Sequence, residues 1–162
     1  MQLSRFTDYS IRVLIYLATL PPGELTRINE VSELYDISKN HLVKVIHKLG
    51  QLGLIDTIQG KNGGIRLKLP PEQIGIGQAL RQLEPLHLLN CSVESCCISP
   101  ACRLKRYLVD AKEAFLKELD KYTIQDLLVD NQKLYSFFQK EKPGSQSPPK
   151  KQARRIRIKE KA

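Results

Sequence analysis

The chain has 162 residues, enough for one ordinary domain with attachments and too few for two full catalytic domains. Hydrophobic residues make up 41% and charged residues 27%, and no run approaches roughly 18 consecutive apolar residues, which excludes a membrane-spanning helix and predicts a soluble protein without a membrane partner. The net charge of +9 is unevenly spread: residues 1–138 carry 17 basic and 15 acidic side chains, whereas residues 139–162 carry 9 and 2. The opening MQLSRFTDYS has no basic stretch followed by an apolar one, so no signal peptide is expected and the expected location is cytoplasmic.

Ile11, Leu14, Ile15 and Ala18 fall on one face of a helix, expected to start near Thr7 as its cap and to stop before Pro21-Pro22. Ile28, Val31 and Leu34 predict a second, short helix. Ser38 is placed to cap a third, which carries Leu42, Val45, Ile46, Leu49 and Leu52. Two helices around a tight turn, the second one longer, read as a helix-turn-helix. Residues 53–59 then read as a strand, 60–64 as a glycine-rich turn and 65–69 as a return strand, with Ile65, Leu67 and Leu69 on one face and Arg66 and Lys68 on the other. The expected fold is mainly α with a small β-hairpin wing: a winged helix-turn-helix followed by a long dimerisation helix.

The polar positions of the third helix predict a DNA-reading surface. Ser38, Lys39, Asn40 and His41 occupy the first turn, the end that enters the major groove in this motif, and Lys44 and Lys48 suit the phosphate flank. Asn40 has the paired donor and acceptor that match adenine, and Lys39 reaches guanine or a phosphate. Gln59, Lys61 and Asn62 at the wing complete the candidate contacts to double-stranded operator DNA. A solvated helix face produces the same pattern.

Farther on, Leu104, Tyr107, Leu108, Ala111, Phe115, Leu116 and Leu119 repeat every three to four residues, and Thr123 is an expected cap ahead of Leu127, Leu128, Leu134, Phe137 and Phe138. So long an apolar stripe needs cover, and a reader of paired half-sites needs a second copy, so a homodimer is expected. From Lys140 the chain is basic and broken by Pro143, Gly144, Pro148 and Pro149, and is expected to be disordered. The expected divisions are 1–83 for the winged helix, 84–103 for a cluster-binding loop, 104–138 for the dimerisation and C-terminal helices, and 139–162 for the basic tail.

All four cysteines, Cys91, Cys96, Cys97 and Cys102, lie within twelve residues. With no secretory signal there is no reason to expect disulfides, leaving one metal centre or a redox-responsive thiol group. Zinc favours two close cysteine pairs, which the spacing does not offer. Cys91, Cys96 and Cys102, five and six apart, fit a loop around an iron–sulfur cluster, for which 2Fe-2S and 4Fe-4S forms both remain open. Cys97, His87 and Asp8 are candidates for a further ligand. Cys97 points away from its neighbour in extended backbone and is expected to be a semi-buried small residue.

The run QLGLIDTIQGKNGGIRL, the segment IGQALRQLEP and the Cys91/Cys96/Cys102 triad together resemble the family of iron–sulfur winged-helix regulators that includes the NsrR and IscR branches. The likeness covers residues 1–138 and is nearest to the NsrR branch. It implies a nitric-oxide-sensitive repressor of nitric-oxide detoxification genes, with nitric oxide as signal. By the same likeness Cys91, Cys96 and Cys102 bind the cluster, and Asp8 completes the ligation from the partner subunit. Arg12, one turn on, sits where a basic residue pairs with acids at the dimer contact. The stretch after the third cysteine is Arg103-Leu104-Lys105-Arg106, lacking the histidine of the IscR pattern. Gln59 stands where relatives carry an arginine directed at the minor groove. No phosphate-cradling loop, HExxH or nucleophile elbow is present, so an enzyme is not expected. Two rival readings stay open: an iron–sulfur or redox-status regulator of the same fold, and a cluster- or thiol-based protein-interaction module.

Overall fold

The computed structural model describes residues 2–86, 94 and 96–140. Helix α1 spans Arg5–Ala18 and is capped by Ser4, whose hydroxyl accepts the Thr7 N–H at 3.2 Å. The expected cap, Thr7, lies instead inside the first turn, fully buried, with its hydroxyl donating to the Leu83 carbonyl at 3.2 Å. Both residues are good caps in sequence; a partner 76 residues away claims the second one.

Helix α2 spans Ile28–Tyr35 and ends at Asp36, which takes the left-handed conformation, and α3 spans Lys39–Gln51 with Ser38 as its cap. Leu42, Val45, Ile46 and Leu49 of α3, Val31 of α2 and Val13, Leu14 and Leu17 of α1 are buried in one core. The wing is an antiparallel pair, β1 (Ile55–Ile58) and β2 (Gly64–Leu67), with Asp56 opposite Arg66 and the two joined by an ion pair at 3.4 Å. These strands are shorter than the sequence predicts, because Gly53 and Gly60 take positive φ and turn the chain on either side of β1. Thr26 and Ile65 exchange both backbone hydrogen bonds, at 3.0 and 2.8 Å, tying the wing to the α1–α2 connection. The approach is close enough that a side chain at Gly64 would collide with the Thr26 carbonyl.

Helix α4 (Ile76–Leu83) packs on α5 (Arg103–Leu119). The contact runs backbone to backbone at Gly77, where an added Cβ would sit 2.8 Å from both the Asp120 nitrogen and the Leu116 carbonyl oxygen. Arg81 closes the same contact with a two-pronged ion pair to Asp120, one arm at 2.8 Å. Thr123, the expected cap of the last helix, caps a 3-10 turn at Gln125–Leu127 through a reciprocal exchange with Asp126. The last helix, α6 (Gln132–Lys140), begins later, with the Asn131 side chain accepting the Leu134 N–H at 3.1 Å, because Asp130 at φ 53° interrupts the run. Phe138 of α6 is buried edge-on against Tyr16 and Tyr35, so this helix closes over the same core as α1 and α2. On α5, Leu116 is buried, whereas Leu104, Tyr107 and Val109 are about half or more exposed. The described residues contain no helix long and apolar enough to cross a membrane.

The two helical glycines Gly77 and Gly50 should respond oppositely to alanine. Gly77→Ala must push apart backbone atoms and is expected to cost about 1–3 kcal/mol. Gly50→Ala, in α3 with nothing within 4 Å, should stabilise by about 0.4–1 kcal/mol. Urea unfolding of the two variants beside the parent checks both signs.

Candidate functional site

Helix α3 presents two faces. Leu42, Val45, Ile46 and Leu49 are buried, and Lys39, Asn40, His41, Val43, Lys44 and His47 are exposed on the other side, with Lys48 half-buried. The helix contains no acidic residue, so its outer face carries an uncompensated positive charge. Its start is rigid: the Ser38 hydroxyl accepts the His41 N–H, and the same oxygen lies 3.0 Å from His41 Nδ1. The His41 ring also leans on Tyr9 of α1, with centroids 6.1 Å apart. Ser38 is thus engaged as a cap, and His41 is held between that cap and α1, while Lys39, Asn40 and Lys44 project from the helix.

At the wing Gln59, Lys61 and Asn62 are all exposed. Arg27, which begins α2, donates to the Lys61 carbonyl at 3.3 Å and so places a guanidinium beside the wing tip. Nothing local in the sequence signals this pairing across 34 residues.

Cys96 and Cys102 are free and half-buried, and they bracket the 3-10 turn Ser99–Ala101. Cys102 is the residue immediately before α5. Cys97, expected to be semi-buried, is exposed, because it sits with Ile98 on a turn that faces solvent. Cys91 and His87 lie outside the described residues, as does the tail from residue 141 onward. Among the described residues no three His, Cys, Asp or Glu side chains come together as a metal site. The described loop carries three free thiols, Cys96, Cys97 and Cys102, the donor type that holds iron–sulfur clusters.

The cysteine loop leaves α4 at a fixed point. The Leu83 carbonyl accepts from Thr7, and the Glu84 carboxylate accepts the Ser4 N–H at 2.9 Å, so the loop departs from the start of α1. Asp8 lies on that same first turn, half-exposed, and pairs with Arg12 at 3.0 Å. The Arg12 guanidinium sits over the Tyr35 ring, whose hydroxyl donates to the Arg12 carbonyl. Of the predicted residues, the structure thus groups Ser38, Lys39, Asn40, His41, Lys44 and Lys48 on one helix, and sets Asp8 beside Arg12. Sequence reasoning missed Val43, Arg27 and Glu84. Val43 alone left a signal, an apolar residue standing off the buried stripe of its helix.

Three packed helices, a basic and capped recognition helix and an antiparallel hairpin define a winged helix-turn-helix regulator of the DNA-binding class. The chain belongs to the Rrf2 family, described as an iron-dependent transcriptional regulator, whose match spans residues 3–130. Members of this family typically dimerise and bind DNA; they are transcription factors rather than enzymes, and some use iron–sulfur clusters. Among solved structures the chain is similar to Staphylococcus aureus CymR in its oxidized form, at 25% identity and TM-score 0.63, over 80% of this chain and 97% of that one. CymR of B. subtilis, described as the global cysteine regulator, matches at 25% identity and TM-score 0.61, over 78% and 95%. IscR of T. potens, at 23% identity and TM-score 0.64 over 82% and 90%, shares the fold.

Glu84 gives a pH test of the anchor between loop and helix. Burial pushes its carboxyl up, but hydrogen bonds from Thr7 and from the Ser4 backbone and hydroxyl outweigh this and hold it below the ordinary value of 4.5. A carboxyl depressed on folding stabilises the native state above its ordinary value and loses that contribution as pH falls through the depressed one. Thermal unfolding of Glu84→Gln should therefore fall below the parent near neutrality, and the gap should close in acid.

Proposed function

We propose that this chain is an iron–sulfur, redox-responsive transcriptional regulator that binds operator DNA as a homodimer. Nitric oxide is its specific signal, and repression of nitric-oxide detoxification genes is its output. The observation that carries the cluster reading is the pair of free, half-buried thiols on one loop: Cys102 closes the short turn Ser99–Ala101, and Cys96 lies three residues ahead of it. Cys91, Cys96 and Cys102 would hold the cluster, of 2Fe-2S or 4Fe-4S type, with Asp8 as the further ligand. The choice of nitric oxide as signal rests on the resemblance to the NsrR branch, carried by the cysteine spacing, the Leu-Glu-Pro before the loop and the Asn-Gly-Gly wing.

A bound cluster supplies irons that react with nitric oxide. The protein's own residues do the rest. Asp8 is half-exposed and paired with Arg12, which would orient its carboxylate toward a second subunit's cluster. The bare stretch of α5, with Leu104, Tyr107 and Val109, serves as the dimerisation surface and sets the spacing of the two recognition helices. Ser38, Lys39, Asn40, His41, Lys44 and Lys48 contact the major groove and its phosphates, and Gln59, Lys61 and Asn62 contact the flanking duplex. Two populations of helix spacing, one tied through the cysteine loop and one released, give the two states that a switch requires.

A second reading is favoured by Cys97, which is exposed, and by the likeness to CymR in its oxidized form. In that reading the same fold reports redox status through its thiols, with no cluster. Anaerobic purification separates the two. Parent protein should be coloured and contain iron, and nitric oxide should bleach the colour and remove the operator footprint together. Cys91→Ala, Cys96→Ala and Cys102→Ala should each be colourless, while Cys97→Ala keeps colour and iron. A colourless parent whose footprint responds to oxidant and depends on Cys97 would establish the thiol reading instead.

The basic tail is proposed to bind phosphates without reading bases. Removing residues 140–162 should weaken operator and scrambled DNA by a similar factor and make the salt dependence shallower, by about one unit of slope for each phosphate the tail neutralises. Equal slopes with and without the tail would make it inert.

A further inference from the structure

Val43 is an apolar residue on the outer face of the recognition helix, with 53% of its surface exposed. The buried stripe of α3 is already complete with Leu42, Val45, Ile46 and Leu49. Val43 adds nothing to that core, and a β-branched residue at an exposed helical position is a weaker helix former than alanine. A lone exposed valine elsewhere on a surface carries no meaning. This one sits one turn after Asn40 and one turn before His47, between Lys39 and Lys44, on the face with no acidic residue.

Resting on the proposal that this face reads DNA, we infer that Val43 is a specificity-determining residue that recognises the C5-methyl group of a thymine in the major groove. The methyl is the one apolar feature the groove edge offers, and it distinguishes thymine from cytosine. Side chains three residues apart on a helix stand about 5–6 Å from one another, and successive base pairs about 3.4 Å. Val43 therefore falls about one or two base pairs from Asn40. An Asn40 amide paired with adenine and a Val43 methyl against thymine together select two A·T pairs adjacent or one apart in each half-site. The polar neighbours fix the helix on the phosphates, and Val43 displaces water from the thymine methyl. Exposure also makes the residue safe to change: its removal opens no cavity in the core.

Full-length parent, Val43→Ala and Val43→Thr are each used to enrich binding sequences from randomised duplexes. The parent is expected to enrich a thymine at one position in each half-site, and Val43→Ala to lose that preference while keeping the rest of the sequence. Val43→Thr, which keeps one methyl and the branched shape, should retain it in part. Deoxyuridine, which differs from thymidine only by the absent methyl, then replaces that thymine in the enriched duplex. Burying one methyl is worth enough that the parent should lose about fourfold in affinity per half-site, and about fifteenfold for two half-sites bound by a dimer. Val43→Ala should bind the thymine and deoxyuridine duplexes equally. Identical enriched sequences for parent and Val43→Ala, or an equal deoxyuridine penalty in both, would overturn the assignment of Val43. A parent that enriches no sequence at all would overturn the DNA-reading proposal beneath it, a result distinct from either.

Discussion

The arrangement of this molecule depends on how the start of α1 is satisfied. A helix N-terminus leaves its first backbone N–H groups without partners. Here the Ser4 hydroxyl takes one, and the Ser4 N–H is itself taken by Glu84. The buried Thr7 hydroxyl reaches the Leu83 carbonyl. A shift of α1 along α4 would strand that hydroxyl away from water, where an unpaired polar group is costly. The place where the cysteine loop begins and the turn that carries Asp8 are therefore set by the same four residues.

From this anchor the contacts run in two directions. Tyr9, next to Asp8, touches His41, and His41 shares the Ser38 oxygen that caps the recognition helix. In the proposed mechanism a movement of the first turn of α1 reaches the DNA-reading end of α3 within three side chains. In the other direction α4 is joined to α5 through Gly77 and the Arg81–Asp120 pair. The wing follows a separate route, held by Thr26, Ile65 and Arg27.

The helix-turn-helix was readable because its evidence is local: the apolar spacing of α3, the capping serine ahead of it and the glycines of the wing are all short-range signals. The alternation of the return strand was readable for the same reason, but its register was not: a turn over 60–64 would set residue 59 against Ile65, whereas Thr57 stands there. What escaped was decided at a distance. Ser4 and Thr7 are equivalent caps until Leu83 claims one of them, and α6 starts at Gln132, behind Asn131, rather than after Thr123 because Asp130 turns the backbone over. The candidate DNA face was legible in its charges, and Val43, though it stands off the apolar stripe in sequence, carries no polar group to mark it as part of that face. Arg27 and Glu84 act through partners 34 and 80 residues away, and no periodicity encodes such pairs.

The close approach at Gly77 has a mechanical side. With no side chain between the helices there, α4 and α5 meet without a compressible layer, and packed interiors of this kind resist deformation. The base of α5 is thereby clamped, while its first thirteen or so residues extend about 20 Å away from the clamp. Cys102 stands at the far end of that rod. A rod clamped at one end turns small rotations into large displacements: a tilt of about 3° at the base moves the tip by about 1 Å over that length. The geometry around the last cysteine is consequently a sensitive gauge of the angle between α5 and the winged-helix body.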